Sequence, residues 1–266
     1  MKLRADVAAV EAGLAASREK AQAMIMAGEI YAGEKKILKS SEPVEDISVL
    51  HLHGETDSFA SRGGHKLEKA IRTFNADVTG LVAMDIGAAA GGFTDVLLRN
   101  GASHVYAIDV GYGQLEWKIR NDERVTVMER TNARTLTEDM FPLHPTLTVM
   151  DVSFISIRLI LPVAAAIMGN GGRFLTLIKP QFEAGKEFVG KKGVVRDKEV
   201  HVNVLRQINE FSPTFGWHVQ DMTFSPITGP AGNIEFLADI RPGPAPLLSD
   251  DYLKEIVRQA HTNFNR

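Results

Sequence analysis

The sequence predicts a doubly wound α/β domain, its sheet mostly parallel with one antiparallel edge strand, preceded by a small α+β module. Three observations carry that prediction. The stretch Leu81-Val-Ala-Met-Asp-Ile-Gly-Ala-Ala-Ala-Gly-Gly-Phe-Thr-Asp95 opens as an apolar run and closes as a helix start, with glycines between. After it, apolar runs alternate with helical patterns as far as residue 178, then give way to a hairpin-like pair of strands. The first 56 residues hold only two short helical patterns and short β-like pieces, and read as a separate unit.

Within that N-terminal unit, Arg4 to Glu11 predicts a short helix that stops at Gly13. Ser17 can cap a second helix, Arg18 to Met26, which stops at Gly28. Short strands are expected at Ile30-Tyr31, at Lys36 to Leu38 past a turn at Gly33, and at Ile47 to His51. Arg4, Arg18, Lys20, Lys35, Lys36 and Lys39 are mixed with Glu19, Glu29 and Glu34, which composition alone reads as a solvated mixed-charge surface. Glu55 to Phe59 is a polar connector; the domains are set at 1–57 and 58–245, with a C-terminal helix in 246–266.

Ser61-Arg-Gly-Gly-His-Lys-Leu67 leads into a helix running to about Phe74. Arg62 and Lys66 read either as ordinary surface charge or, with a glycine pair between them, as a phosphate or substrate contact. Strands follow at 81–86, 104–109, 125–129, 147–151 and 172–178, with helices between them. The first of those helices is Phe93 to Asn100, closed by Gly101. The last strands fall near 217–224 and 233–240, and a final helix runs from Asp250 to about Asn263.

The glycine turn is where a ligand is expected. Gly87, Gly91 and Gly92 allow close backbone approach, and the helix N-terminus offers free N–H groups. The turn has neither the G-x-G-x-x-G spacing of a dinucleotide fingerprint nor the G-x-x-x-x-G-K-[ST] of a phosphate loop. The next strand ends in Asp109, placed to take both hydroxyls of a ribose. A ribose-binding acid without a phosphate cradle suggests a nucleoside-like ligand such as S-adenosylmethionine. A tight turn of the kind any α/β protein can hold is the plain alternative.

Composition narrows the setting. The chain has 266 residues, 44% hydrophobic and 24% charged, ordinary for one globular domain plus a small one. It has no cysteine, which excludes disulfides and thiolate metal sites and fits a reducing compartment. Met1 to Asp6 shows no apolar leader pattern, and the most apolar stretch, Leu147 to Met168, is broken by Asp151 and Arg158. We therefore expect a cytoplasmic protein without a membrane span. A formal net charge of −3 leaves nucleic-acid contact to local basic patches.

Chemistry in such a sheet collects outside the carboxyl ends of the strands. The fourth strand ends in Asp151, followed by Val-Ser-Phe-Ile-Ser156; the fifth ends in Leu-Ile-Lys179, followed by Pro-Gln-Phe-Glu183. Desolvation at an apolar strand end would lower a lysine's pKa toward that of a useful base, unless the side chain snorkels to the surface. Glu235, in Gly232-Asn-Ile-Glu-Phe-Leu237, reads as a buried acid in need of a cation. Lys66, Asp151, Lys179 and Glu235 thus offer two cations and two anions to one rim. Beyond them, Lys186, Lys191, Lys192 and Arg196 read as either a grip on RNA phosphates or a solvated loop.

Taken together, S-R-G-G-x-K-L, D-I-G-x-x-x-G-G-F-T-D, D-V-G-Y-G-Q-L, E-R-T-N, D-V-S-F-I-S, I-K-P-Q-F-E and V-G-K-K-G-V-V-R-D are similar to the motifs of the TlyA family, over nearly the full chain. The two N-terminal helices, with S-R-E-K-A opening the second, resemble the S4 RNA-binding module. The resemblance implies a Rossmann-like class I methyltransferase sheet of the FtsJ kind, with S-adenosylmethionine as cofactor and no metal. The implied reaction is 2′-O-methylation of a ribose, that of a cytidine, in ribosomal RNA, with that RNA or ribosomal subunits as the partner. Lys66, Asp151, Lys179 and Glu235 then match the family's catalytic tetrad. Lys179 would be the general base, held deprotonated with help from Lys66, and the two acids would orient the lysines. Asp85, Gly87, Ala88, Gly91, Gly92, Phe93, Asp109 and Asn132 would hold the cofactor. Arg4, Arg18, Lys20 and Arg62, with the four loop cations, would contact RNA.

The chain also departs from the family. Ala89-Ala90 stands where Ser-Ser or Ser-Thr is common, and Ala5, Ala8 and Ala9 stand where the S4 pattern has leucines. Those alanines keep open a catalytically idle RNA-binding or ribosome-assembly factor. The hemolysin label often given to family members is a further rival, disfavoured by the lack of a span.

Overall fold

The computed structural model describes residues 3–33, 35–44, 46–52 and 59–264; Glu34 and most of the connector at 55–59 lie outside them. The chain falls into two compact units, Met1–Ser58 and Phe59–Arg266.

The first unit holds β1 (Leu3–Arg4), α1 (Ala5–Glu11), α2 (Arg18–Ala27), β2 (Ile30–Ala32), β3 (Lys35–Lys36), β4 (Pro43–Val44) and β5 (Leu50–Leu52). β1 pairs with β4, and β2 lies between β3 and β5, all antiparallel. The second helix starts where Ser17 Oγ accepts the Lys20 N–H and stops at Gly28, whose φ is +76°. Ala5, Ala8, Ala9 and Ala21 pack against Ile25, Ile30 and Ile37, a core that small side chains keep thin. Two expected strands shift. The strand expected at 36–38 ends at Lys36, because the Leu38 N–H turns to the Glu42 carboxylate instead of a ladder. Ile47–Val49 coils as a 3₁₀ turn before β5.

The second unit runs α3 (Gly64–Thr73), β6 (Val82–Ile86), α4 (Gly92–Arg99), β7 (His104–Ile108), α5 (Trp117–Arg120), β8 (Val125–Met128), β9 (Leu147–Met150), α6 (Leu161–Met168), β10 (Arg173–Ile178), α7 (Pro180–Glu183), α8 (Lys198–Phe211), β11 (Trp217–Phe224), β12 (Phe236–Pro242) and α9 (Asp250–Phe264). Its strands lie in the order β11-β12-β10-β9-β6-β7-β8. β6 to β10 are parallel, and β12 runs against both β10 and β11, so the expected antiparallel strand lies second from this edge, covered by β11.

Alternation along the strands sorts the core onto two faces. Met84, Ile86, Ile108, Met150 and Ile178 pack with α6, α8 and α9. Ala83, Val105, Leu147, Val149 and Leu177 pack with α3 and α4. The register then fixes the rim. Ile86 sits opposite both Ile108 and Met150, and Ile178 opposite Phe236. Gly87, Asp109, Asp151 and Lys179 therefore emerge together, with Glu235 just before β12. That last strand starts later than the pattern predicts, because Gly232 turns at φ +89° and the Asn233 side chain bonds to Gly193 and Val195.

Candidate active site

The turn after β6 is shaped first by the protein itself. Gly87 has φ +86°, and a Cβ there would lie 2.6 Å from the Asp151 carbonyl oxygen. Gly91, at φ +95°, would meet the Leu115 side chain at 2.9 Å. These glycines let neighbouring chain segments approach, a reason the sequence pattern does not distinguish from ligand approach. Asp109 reaches back over the turn. Its Oδ2 accepts the Ala89 N–H at 2.8 Å and its Oδ1 the Gly111 N–H at 2.7 Å. Ala89 is thereby held at φ +47°, the left-handed region.

Beside the turn lies a cavity of about 450 Å³, walled by Gly87, Ala89, Asp109, Asn132, Asp151 and Phe154 among others. That volume suits a small molecule of nucleoside size. Asp109 keeps lone pairs for hydroxyl donors, and Ile86, Ile108 and Val110 give the wall an apolar part. Asp85, Ala88, Gly91, Gly92 and Phe93 do not line this cavity. Phe93 packs in the core, and Asp85 lies wholly buried beneath the turn. Thr94 Oγ1 donates to Asp85 Oδ2 at 2.6 Å; burial dominates and pushes this carboxyl up to about 7.

The four charged residues expected at the rim meet there. Lys66 comes from α3, and its Nζ donates to Glu235 Oε2 at 2.8 Å and to Asp151 Oδ2 at 3.2 Å. Lys179 Nζ lies 2.5 Å from Asp151 Oδ1, a charge contact, and donates to Ser153 Oγ at 3.0 Å. The side chains are 7% exposed for Lys66, 1% for Glu235, 18% for Asp151 and 11% for Lys179. Burial alone would lower the Lys66 ammonium, but Asp151 and Glu235 outweigh it, and its pKa is raised. Lys66 is a committed cation between two anions, and Asp151 is shared by both lysines.

The loop after Asp151 is held from its far end. Ser156 Oγ donates to Glu183 Oε2 at 2.6 Å, and the Ile157 N–H donates to Oε1 at 2.8 Å. Burial raises the Glu183 carboxyl pKa, and these bonds and Arg158 only partly offset it. Between the two ends, Phe154 stands 91% exposed at φ +64°. Neither Ser153 nor Glu183 is marked by the sequence as functional, although each lies inside a motif that contains a tetrad residue.

The expected RNA contacts come from both units. Lys186, Lys191, Lys192 and Arg196 are exposed on one loop. The buried Asn233 staples that loop to the Glu235 segment, accepting the Val195 N–H at 3.0 Å and donating to Gly193 O at 2.8 Å. Arg62 donates to the Thr228 carbonyl at 2.5 Å. In the first unit, Arg4 and Arg18 both bond Asp6 at 3.1 Å, while Lys20 is exposed. Asp6 is fully buried, and the Arg4 guanidinium beside it holds its carboxyl well below the usual carboxylate range.

Known proteins resemble this chain in sequence and in fold. The profile of the FtsJ-like methyltransferase family matches residues 59–240. The chain is 48% identical to YqxC of Bacillus subtilis (strain 168), provisionally described as an rRNA methyltransferase, over 98% of this chain and 94% of that one. It is 39% identical to the 16S/23S rRNA (cytidine-2′-O)-methyltransferase TlyA of Mycobacterium tuberculosis (strain ATCC 25618 / H37Rv), over 97% of each. A solved structure from Streptococcus thermophilus, provisionally described as a hemolysin, superposes with a TM-score of 0.79 at 44% identity, covering 99% of this chain and 97% of that one. The chain belongs to the FtsJ-like methyltransferases and, within them, to the TlyA family.

Proposed function

We propose that this chain transfers a methyl group from S-adenosylmethionine to the 2′-oxygen of a ribose in ribosomal RNA, leaving S-adenosylhomocysteine, and that Lys179, acting as the neutral amine, takes the hydroxyl proton. The observation that supports the reading most is the Lys66–Asp151–Lys179 chain of charges, backed by Glu235, at the rim beside the cavity. A ribose hydroxyl is a weak nucleophile and must lose its proton as it attacks. Lys66 is enclosed by two carboxylates and stays cationic. Lys179 has only a share of Asp151, and Ser153 fixes the direction of its amine.

S-adenosylmethionine, when bound, supplies an electrophilic methyl group. Gly87, Asp109 and Asn132 would hold it in the cavity, with Asp109 toward the ribose hydroxyls. Asp85, buried under the turn, supports the turn rather than touching the ligand. Phe154, exposed beside the tetrad, offers a flat face to an unstacked base, the usual way a protein reads single-stranded RNA. The base is assigned as cytidine, by analogy with the TlyA relatives. Residues 1–57 serve as an S4-like unit that brings RNA through Arg4, Arg18 and Lys20, residues 58–245 as the methyltransferase, and 246–266 as a helix packed on it. The cations of the 186–196 loop add phosphate contacts near the tetrad. Ribosomal subunits are the substrate and the cytoplasm is the setting.

Purified protein, labelled cofactor and bacterial ribosomal subunits test this directly. The expected product on digestion of the RNA is a 2′-O-methylated cytidine. Label on a base, or none, refutes the assignment.

A further inference from the structure

The stretches 151–156 and 179–183 each begin with a tetrad residue, and their last residues, Ser156 and Glu183, also meet. Glu183 ends α7, one turn beyond Lys179, and is buried. It takes bonds from the Ser156 hydroxyl at 2.6 Å and the Ile157 N–H at 2.8 Å, with the Arg158 guanidinium 3.4 Å away. At the other end of the loop, the Asp151 N–H is fixed to the Ile86 carbonyl at 3.1 Å. Between these anchors lie Ser153, which accepts the Lys179 amine at 3.0 Å, and Phe154 in the left-handed region at φ +64°. A bulky residue persists in that region only where its surroundings over-determine the backbone. One short turn, α7, therefore carries both Lys179 at its start and the clamp on the loop that faces Lys179.

We infer that Glu183 is a positioning residue for methyl transfer: it pins the 152–156 loop to α7, so that Ser153 stays in hydrogen-bond reach of the Lys179 amine. The inference rests on the reading of Lys179 as the base. Glu183 need not touch substrate or cofactor; its effect passes through Ser156, the loop backbone and Ser153. A buried carboxylate is unfavourable without partners, and its partners here all belong to the loop's far end or to Arg158.

The test is rRNA methylation by the full-length wild type and by Glu183→Ala, Glu183→Gln, Ser153→Ala and the Glu183→Ala/Ser153→Ala double variant. Glu183→Ala is expected to lower kcat about tenfold or more, with KM for cofactor and RNA within roughly threefold of wild type. Glu183→Gln still accepts the Ile157 N–H and bonds the Ser156 hydroxyl, so it should recover kcat to within about threefold. The double variant should lose no more than about twofold beyond the worse single variant, because both changes break one path. Losses that multiply, an unchanged kcat in Glu183→Ala, or a loss confined to KM would overturn the assignment. Should Glu183→Ala fail to fold, Ser156→Ala replaces it in the same cycle, with the same criteria. A wild type that labels no ribose refutes the methyl-transfer reading instead. Hydrogen exchange at the Ile157 amide then judges the clamp alone: faster exchange in the Glu183 or Ser156 variant supports it, and unchanged exchange overturns it.

Discussion

Replacing Lys66 with methionine removes the cation that two carboxylates share while nearly keeping its volume. Glu235, 1% exposed and 2.8 Å from the amine, is left in the interior with its charge uncompensated. Asp151 fares better, since Lys179 remains 2.5 Å away. Breaking a buried pair from one side costs roughly 3–5 kcal/mol, and the surviving Lys179 contact puts Lys66→Met near the lower end, about 3 kcal/mol. For a unit of this size, that corresponds to a Tm lower by about 6–12 °C. The double variant Lys66→Met/Glu235→Leu removes both charges and should return to within about 1 kcal/mol of wild type, as apolar replacements of buried pairs often do. Denaturant unfolding followed by circular dichroism measures both. The pH dependence has a definite sign. The folded Lys66 pKa is raised, so its stabilisation is complete below the ordinary lysine value of about 10.4 and is lost as pH rises through the folded value. Lys66→Met should therefore flatten the alkaline limb. A single variant within about 1 kcal/mol of wild type, or a double variant as unstable as the single, refutes the description of this site as a desolvated ion-pair chain.

Two further outcomes follow from the same geometry. Asp109→Ala should weaken S-adenosylmethionine binding about tenfold or more in isothermal titration, because it removes both the hydroxyl acceptor and the tie that holds Ala89; Ala89→Ser/Ala90→Ser should tighten it. Undiminished affinity in Asp109→Ala would move the cofactor elsewhere. In the first unit, the depressed Asp6 carboxyl stabilises the fold above the ordinary carboxylate value of about 3.9 and ceases to do so as pH falls through its lower folded value. Asp6→Asn should be less stable at neutral pH and lack that acid limb; an unchanged acid titration would contradict the clamp.

The parallel strands and the rim they create were legible because apolar runs buried on both faces end abruptly in Asp109, Asp151 and Lys179. Even so, the two aspartates lie just past their strands, where side chains turn to loops and lysines instead of continuing the ladder. What stayed hidden is pairing across long sequence separations. Asn233 bonds a loop some forty residues earlier, and Glu183 clamps Ser156. Asp6 gathers Arg4, Arg18 and Gln22, so two cations that composition shows only as surface charge are held by a buried acid. Periodicity reports which face of an element is apolar; it carries no record of which polar groups meet when faces pack. The glycines of the turn show a related ambiguity. Their pattern announces close approach, and at Gly87 the approaching group is the protein's own Asp151 carbonyl.

Whether the Lys179 amine takes the proton of the ribose 2′-hydroxyl is decided by single-turnover methylation with Lys179→Arg. Arginine keeps a positive charge near Asp151 but cannot deprotonate at working pH. Lys179→Arg and Lys179→Ala are both expected to lose transfer by about a thousandfold or more, while cofactor and RNA affinities stay within a few-fold, since the base acts mainly in the transition state. If Lys179→Arg keeps a tenth or more of the wild-type rate, Lys179 is a positioning cation and the base lies elsewhere.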